Sequence, residues 1–190
     1  MKHARFSLVV LAAALLAAAG CDSGNAVVAT GQGQVQLVVS AAAQPMAATT
    51  TLSGGDAPRL RSAYVTFSDI VARSIEGQFV DLDAPFPASV DILQVAAGRE
   101  ISLPAGVLPA GTYDQLVVVI SGVELLTENG TSIVVTPPGG GWTRIVRVQE
   151  PFVVVEGQAT TVILRIHWWS AFRWMQDHFE FDPTFECTRG

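Results

Sequence analysis

From about residue 60 onward the chain alternates apolar and polar side chains with a period of two. In RSAYVTFSDIVAR (61–73), Ala63, Val65 and Phe67 share one face, and Ile70 and Val71 continue it less regularly. That is the pattern of a strand with one buried face. IEGQ (75–78) predicts a hairpin-type turn into a second strand, FVDLD (79–83). SVDILQV (89–95) is another short apolar run, and REISLPAG (99–106) a strand stopped by Pro104. TYDQLVVVISGVELLTENGTSIVVTP (112–137) holds two β-branched runs separated by ENGT. Asn129-Gly130 there predicts a type I′ hairpin, in which both central residues take positive φ. PPGGGW (137–142) reads as a loop. TRIVRVQEPFVVVEGQATTVILRIHWW (143–169) supplies two or three strands, broken near Glu150-Pro151 and at Glu156-Gly157. HFEFDPTF (178–185) closes the sheet as a last, edge-like strand.

Ahead of this region, QVQLVVS (34–40) predicts a first strand. AAAQPMAATTTLSGGDAP (41–58) predicts a low-complexity loop, because Pro45 and Gly54-Gly55 oppose a continuous element. Roughly seven to nine short strands without a long helix imply an all-β fold. The expected architecture is a single antiparallel β-sandwich over residues 34–187, with 188–190 as a tail, since two apolar sheet faces must cover each other.

The N-terminus follows another pattern. Lys2, His3 and Arg5 precede an uninterrupted apolar run, residues 8–19, and Ala18, Ala19 and Gly20 then lead to Cys21. Twelve apolar residues are too few for a permanent bilayer span, which needs about 20. They fit the core of a secretory signal peptide. AAGC resembles the bacterial lipoprotein signal, in which the thiol receives a diacylglycerol and the bond before Cys21 is then cut; Ala18 stands where leucine is usual. Two or three acyl chains, at about 0.8 kcal/mol per buried CH₂, hold a protein to a bilayer essentially permanently. Residues 1–20 are thus expected to be the signal peptide and 21–33, small and polar, a flexible tether. The implied location is the bacterial cell envelope, anchored to the inner or outer membrane, with the domain in the periplasm or at the cell surface.

Charge narrows the function classes. The formal net charge is −6, and −8 beyond residue 20. Such a surface repels phosphate backbones, so no nucleic-acid partner is expected. Lys2 is the single lysine, which removes Schiff-base chemistry. With Cys21 acylated, Cys187 has no partner in the chain for a disulfide.

The ordered pieces GQVQLVVS, LRSAYVTFSDIVARSIEGQFVDL, VDILQV, LPAGTYDQLVVVISGVEL and FEFDPTF, together with the leader, resemble an uncharacterised bacterial lipoprotein domain family. The resemblance covers about residues 33–185. It implies a prealbumin-like (transthyretin-like) Greek-key β-sandwich of unknown function and brings no catalytic residues. The chain departs from the family in the insertion 41–58 and in the aromatic segment 168–174.

RIHWWSAFRWMQDHFEFDP (165–183) is the unusual stretch. Arg165, His167, Trp168, Trp169, Arg173 and Trp174 could form a ligand or partner patch, with indoles stacking on sugar rings or lipid and the arginines as polar anchors. His167, Asp177 and His178 are weak candidates for a metal, which would need further ligands and a supporting shell. The bland reading is that strand alternation turns Ile166 and Trp168 into the core. Asp81, Asp83 and Asp91 offer carboxylates for calcium but match no known loop spacing, and read as a solvated acidic loop. With no nucleophile motif, no enzyme and no cofactor are expected. The resulting expectation is a membrane-anchored envelope lipoprotein, held to the bilayer through Cys21, whose sandwich is a non-catalytic binding or assembly module for an envelope protein or glycan. The alternatives are a metal- or small-molecule-handling periplasmic protein and a structural subunit of a surface filament.

Overall fold

The computed structural model describes residues 31–43 and 57–190. The expected signal peptide, lipidated Cys21 and most of the tether and the 41–58 loop lie outside the described residues. The fold is all-β. Its strands are β1 (Gln32–Ala41), β2 (Leu60–Ser74), β3 (Phe79–Asp81), β4 (Ala88–Asp91), β5 (Ile101–Ser102), β6 (Gly106–Pro109) and β7 (Gly111–Thr127). They continue as β8 (Ser132–Val135), β9 (Trp142–Val154), β10 (Ala159–Ile166), β11 (Phe172–Met175), β12 (His178–Phe181) and β13 (Phe185–Arg189). Two short α-helices intervene, α1 (Ile92–Ala96) and α2 (Trp168–Ala171), with a 3₁₀ turn at Pro138–Gly140.

The strands form two facing layers. In one, β3 and β4 pair with β2, β2 with β7, and β7 with β8 and β9. In the other, β13, β10 and β1 lie side by side, and β5 and β6 pair with β1. The layers join along one side where Val148 of β9 meets Cys187 of β13. Along the other, Val107 N–H donates to the Asp83 carbonyl at 3.0 Å and Asp83 N–H to that of Val107 at 3.3 Å. Between them lie Leu37, Val65, Phe67, Val118, Ile120, Phe152 and Leu164, all fully buried.

Several local expectations are corrected. The sandwich is not wholly antiparallel: β1 runs parallel to β10, and β9 to β13. Parallel neighbours need a crossover, and for β1 and β10 the whole opposite layer supplies it. β13, a central strand reaching Arg189, replaces both the expected edge strand and the tail; 178–181 belongs instead to a separate hairpin, β11–β12. Pro183, lacking an N–H, separates the two pieces. In β2 the inward face runs Ala63, Val65, Phe67 and then Ile70 and Ala72, not Val71. A register shift between Phe67 and Asp69 resets the phase, the effect of a β-bulge. The turn after β7 is not type I′. Gly130 alone has positive φ, its N–H donates to the Thr127 carbonyl at 3.0 Å, and the Asn129 side chain accepts from Thr131 N–H at 3.1 Å. That side-chain bond leaves Asn129 at negative φ, so one glycine completes the hairpin. Asp91 is buried, not solvated: it accepts from Ala63 N–H (3.0 Å), Leu93 N–H (3.1 Å) and Gln94 Nε2 (3.3 Å), capping α1 and tying it to β2.

The LPAGTY stretch proves to be a corner. Tyr113 is buried, its hydroxyl donates to the Pro109 carbonyl at 2.8 Å, and its ring stacks on Phe152 with centroids 5.4 Å apart. The arrangement resembles the tyrosine corner of other β-sandwiches. Burial raises the phenol above its ordinary pKa. Tyr113→Phe keeps the stacking and deletes one hydrogen bond, so urea titration should show a loss of about 1 kcal/mol.

The sandwich has two distinct poles. The near pole holds the start of β1: Ala110 N–H donates to the Gly31 carbonyl and Gly157 N–H to that of Gln32, each at 2.8 Å. Gly33, expected in the tether, is part of β1, and a Cβ on it would meet Val154 Cγ1 at 2.6 Å. At the far pole lie the end of β1, the start of β2, β8, the start of β9, α2 and the β11–β12 hairpin, placed by the ladders β1–β10, β2–β7, β7–β8 and β7–β9.

Candidate functional site

The far pole carries a cleft of ≈ 490 Å³ between the β11–β12 hairpin and the loop joining β8 to β9. Alternation sorts the hairpin's side chains. Phe172, Phe179 and Phe181 are buried, while Arg173, His178 and Glu180 are exposed. Beneath the cleft Trp142 meets Phe181 edge-on, centroids 5.1 Å apart, and Phe172 packs on the same ring at 4.9 Å. This aromatic cluster docks the hairpin onto the sandwich.

Charge is organised around Asp182. Its two oxygens accept from Arg144 at 2.6 Å and from Arg173 at 3.4 Å, and Arg144 also donates Nε to the Pro183 carbonyl at 2.9 Å. Both guanidiniums are thereby held in place on the cleft wall, with Glu180 and His178 beside them. Exposed pairs of this kind contribute little to stability. Their consequence is geometric: fixed donors stand next to fixed acceptors over an apolar floor. Such a surface suits a neutral polar or zwitterionic partner that gives and takes hydrogen bonds, and offers no net field to a polyanion.

The proposed patch residues come together only in part: the rings of His167 and Trp168 lie 5.0 and 6.3 Å from that of Trp169, while Arg165 and Arg173 line two different clefts. Arg173 lines the cleft, and Trp174 packs half-buried against the core with its ring 4.7 Å from that of Phe179. Trp169 is buried, and Trp168 packs against the core beside it. His167 Nε2 lies 2.8 Å from Glu186 Oε1. Arg165, directly opposite Glu186 in the β10–β13 ladder, lines a separate groove with Gln149, Glu150, Thr188 and Arg189. Of the metal candidates, His178 Nδ1 lies 2.8 Å from Asp177 Oδ1, and that hydrogen bond holds the Asp177 carboxyl below the usual carboxylate range. Among the described residues no group of three or more His, Cys, Asp or Glu gathers as ligands. Trp142 and Arg144 were missed from sequence because nothing local marks them. Arg144 becomes a site residue only through Asp182, 38 positions away.

Cys187 is fully buried where the layers join, and burial pushes its thiol up to about 12, with nearby Arg165 opposing. A thiolate is the reactive form. Thiol reagents at pH 8 should therefore label Cys187 only after denaturation. Because the folded pKa is raised, the thiol's contribution to stability is complete below its ordinary value of 9.0 and is lost as pH climbs toward about 12. Cys187→Ala should remove that part of the alkaline loss in a stability–pH series.

Residues 47–167 match the model of a domain of unknown function, DUF4382. The chain belongs to that family. No curated protein and no solved structure matches it. The DUF4382 match takes in β2 to β10 and leaves β1 and β13 outside. It also divides the cleft: Val135, Thr136, Trp142 and Arg144 lie within the matched region, and Arg173, His178, Glu180 and Asp182 beyond it.

Proposed function

We propose that this DUF4382 protein is a lipid-anchored protein of the bacterial cell envelope whose prealbumin-like sandwich presents the far-pole cleft as a non-catalytic binding or assembly site. The anchor is supported by the apolar run 8–19 ending in small residues at Cys21. The observation that carries the binding role is Asp182 fixing Arg144 and Arg173 above the Trp142–Phe181 floor. Preorganised donors and acceptors lower the ordering cost of recognition, and the partner chemistry they suit is that of an uncharged glycan or a polar segment of an envelope protein.

The metal-handling alternative gains no support, since His167 and His178 each pair with a different carboxylate. The filament alternative needs a long open strand edge, whereas the strand path ends in β3 and β5, three and two residues long.

Metabolic labelling with a palmitate analogue tests the anchor. The native chain should take up label and sediment with membranes, and Cys21→Ser should lose both completely. An unlabelled native chain with a free Cys21 thiol would sink the proposal. For the cleft, Arg173→Ala should lower retention on an array of envelope glycans at least about tenfold, the size of one charge-assisted hydrogen bond.

A further inference from the structure

We infer that the near pole of the sandwich rests against the lipid surface through Ile75, Phe79, Val153 and Val155, so that the cleft faces away from the membrane. This rests on acylation at Cys21.

Large apolar side chains are exposed at eight positions among the described residues, and these four occupy one pole: Ile75 and Phe79 at 59 %, Val153 at 44 % and Val155 at 43 %. They are neighbours in space. Ile75 N–H donates to the Thr112 carbonyl at 3.1 Å, and Thr112 is paired with Val153. Phe79 faces Arg73 across the β2–β3 hairpin whose turn holds Ile75. Val155 starts the turn that packs on Gly33, and Gly157 of that turn binds Gln32. The patch therefore lies beside Gly31 and Gln32, at the start of β1.

Chain length supplies the occupant. Cys21 lies ten residue steps from the near pole at Gly31. Even fully extended they span at most about 35 Å. An acylated Cys21 thus keeps this pole within that distance of the bilayer. Apolar side chains so confined gain by entering the boundary between head groups and acyl chains. Glu76 and Glu156, in the same two turns, limit the depth, because carboxylates stay hydrated. The contact is shallow and is weakened on anionic lipid.

The four tryptophans give the test its contrast. Trp142, Trp168, Trp169 and Trp174 all lie at the far pole, on the start of β9, on α2 and on β11. The acylated full-length chain is placed in bilayers of zwitterionic lipid brominated near the head group, and tryptophan emission is read. Native emission should be unquenched. Ile75→Trp and Val155→Trp should each add emission of which about half or more is quenched, as for a side chain at the interface. Val134→Trp, at the far pole and 70 % exposed in the native chain, should add emission that is not quenched. Unquenched emission from both near-pole variants, or quenching of the native tryptophans, would overturn the orientation. If the native chain fails to float with the bilayers or its mass lacks acyl groups, the anchor itself falls, and the orientation with it.

Discussion

A piece confined to residues 47–167, the extent of the family match, is expected not to fold. In the intact protein β10 is flanked by β1 on one side and β13 on the other, with registers running from Gln34↔Ala159 to Ala41↔Ile166 and from Val162↔Arg189 to Ile166↔Phe185. Removing both strands strips β10 of every ladder partner. It also removes Val35, Leu37, Val39, Phe185 and Cys187, all buried, from the layer that covers β2 and β7. At about 1.5–3 kcal/mol for each fully buried large apolar side chain, the loss reaches the whole stability of an ordinary domain, about 5–15 kcal/mol. Near-ultraviolet circular dichroism of the 47–167 piece should show no cooperative thermal transition, while residues 31–190 should show one. A sharp transition in the shorter piece would mean that β1 and β13 are accessory to the fold.

Phe67→Ala is expected to cost about 3–5 kcal/mol. Phe67 is fully buried on β2, and its ring lies 6.4 Å, centroid to centroid, from that of Phe185 on β13. The pair therefore spans the two layers. Truncation leaves a cavity between two sheets whose backbones are fixed by their ladders and cannot collapse onto it. Urea titration should show the midpoint lowered with the slope unchanged. A cost under about 1 kcal/mol would show that the layers are not packed through this pair.

Most strands were legible along the chain because each is a local matter. Period-two alternation located β2, β7, β8, β9 and β10, and Gly77, Gly130 and Gly157, each with positive φ, mark turns that the sequence announces. Where the reading slipped, a contact distant in sequence had intervened. The bulge after Phe67 depends on β7. The apolar run 89–95 splits into β4 and α1 because Asp91 reaches back to Ala63. The aromatic segment 168–174 was open to both core packing and a ligand patch, and Trp168 and Trp174 pack against the core. His167 and His178, close together in sequence, pair with different carboxylates, Glu186 and Asp177.

The amino-acid order by itself determined that the chain is all-β and where most of its turns fall, because side-chain period and turn geometry act over a few residues. The tertiary structure alone decided that β1 and β10 run parallel, that Cys187 is sealed at the joint between layers, and that Asp182 gathers two arginines into one cleft. Those are pairings between segments far apart in the chain, chosen by which faces bury each other best, and no local pattern encodes that choice.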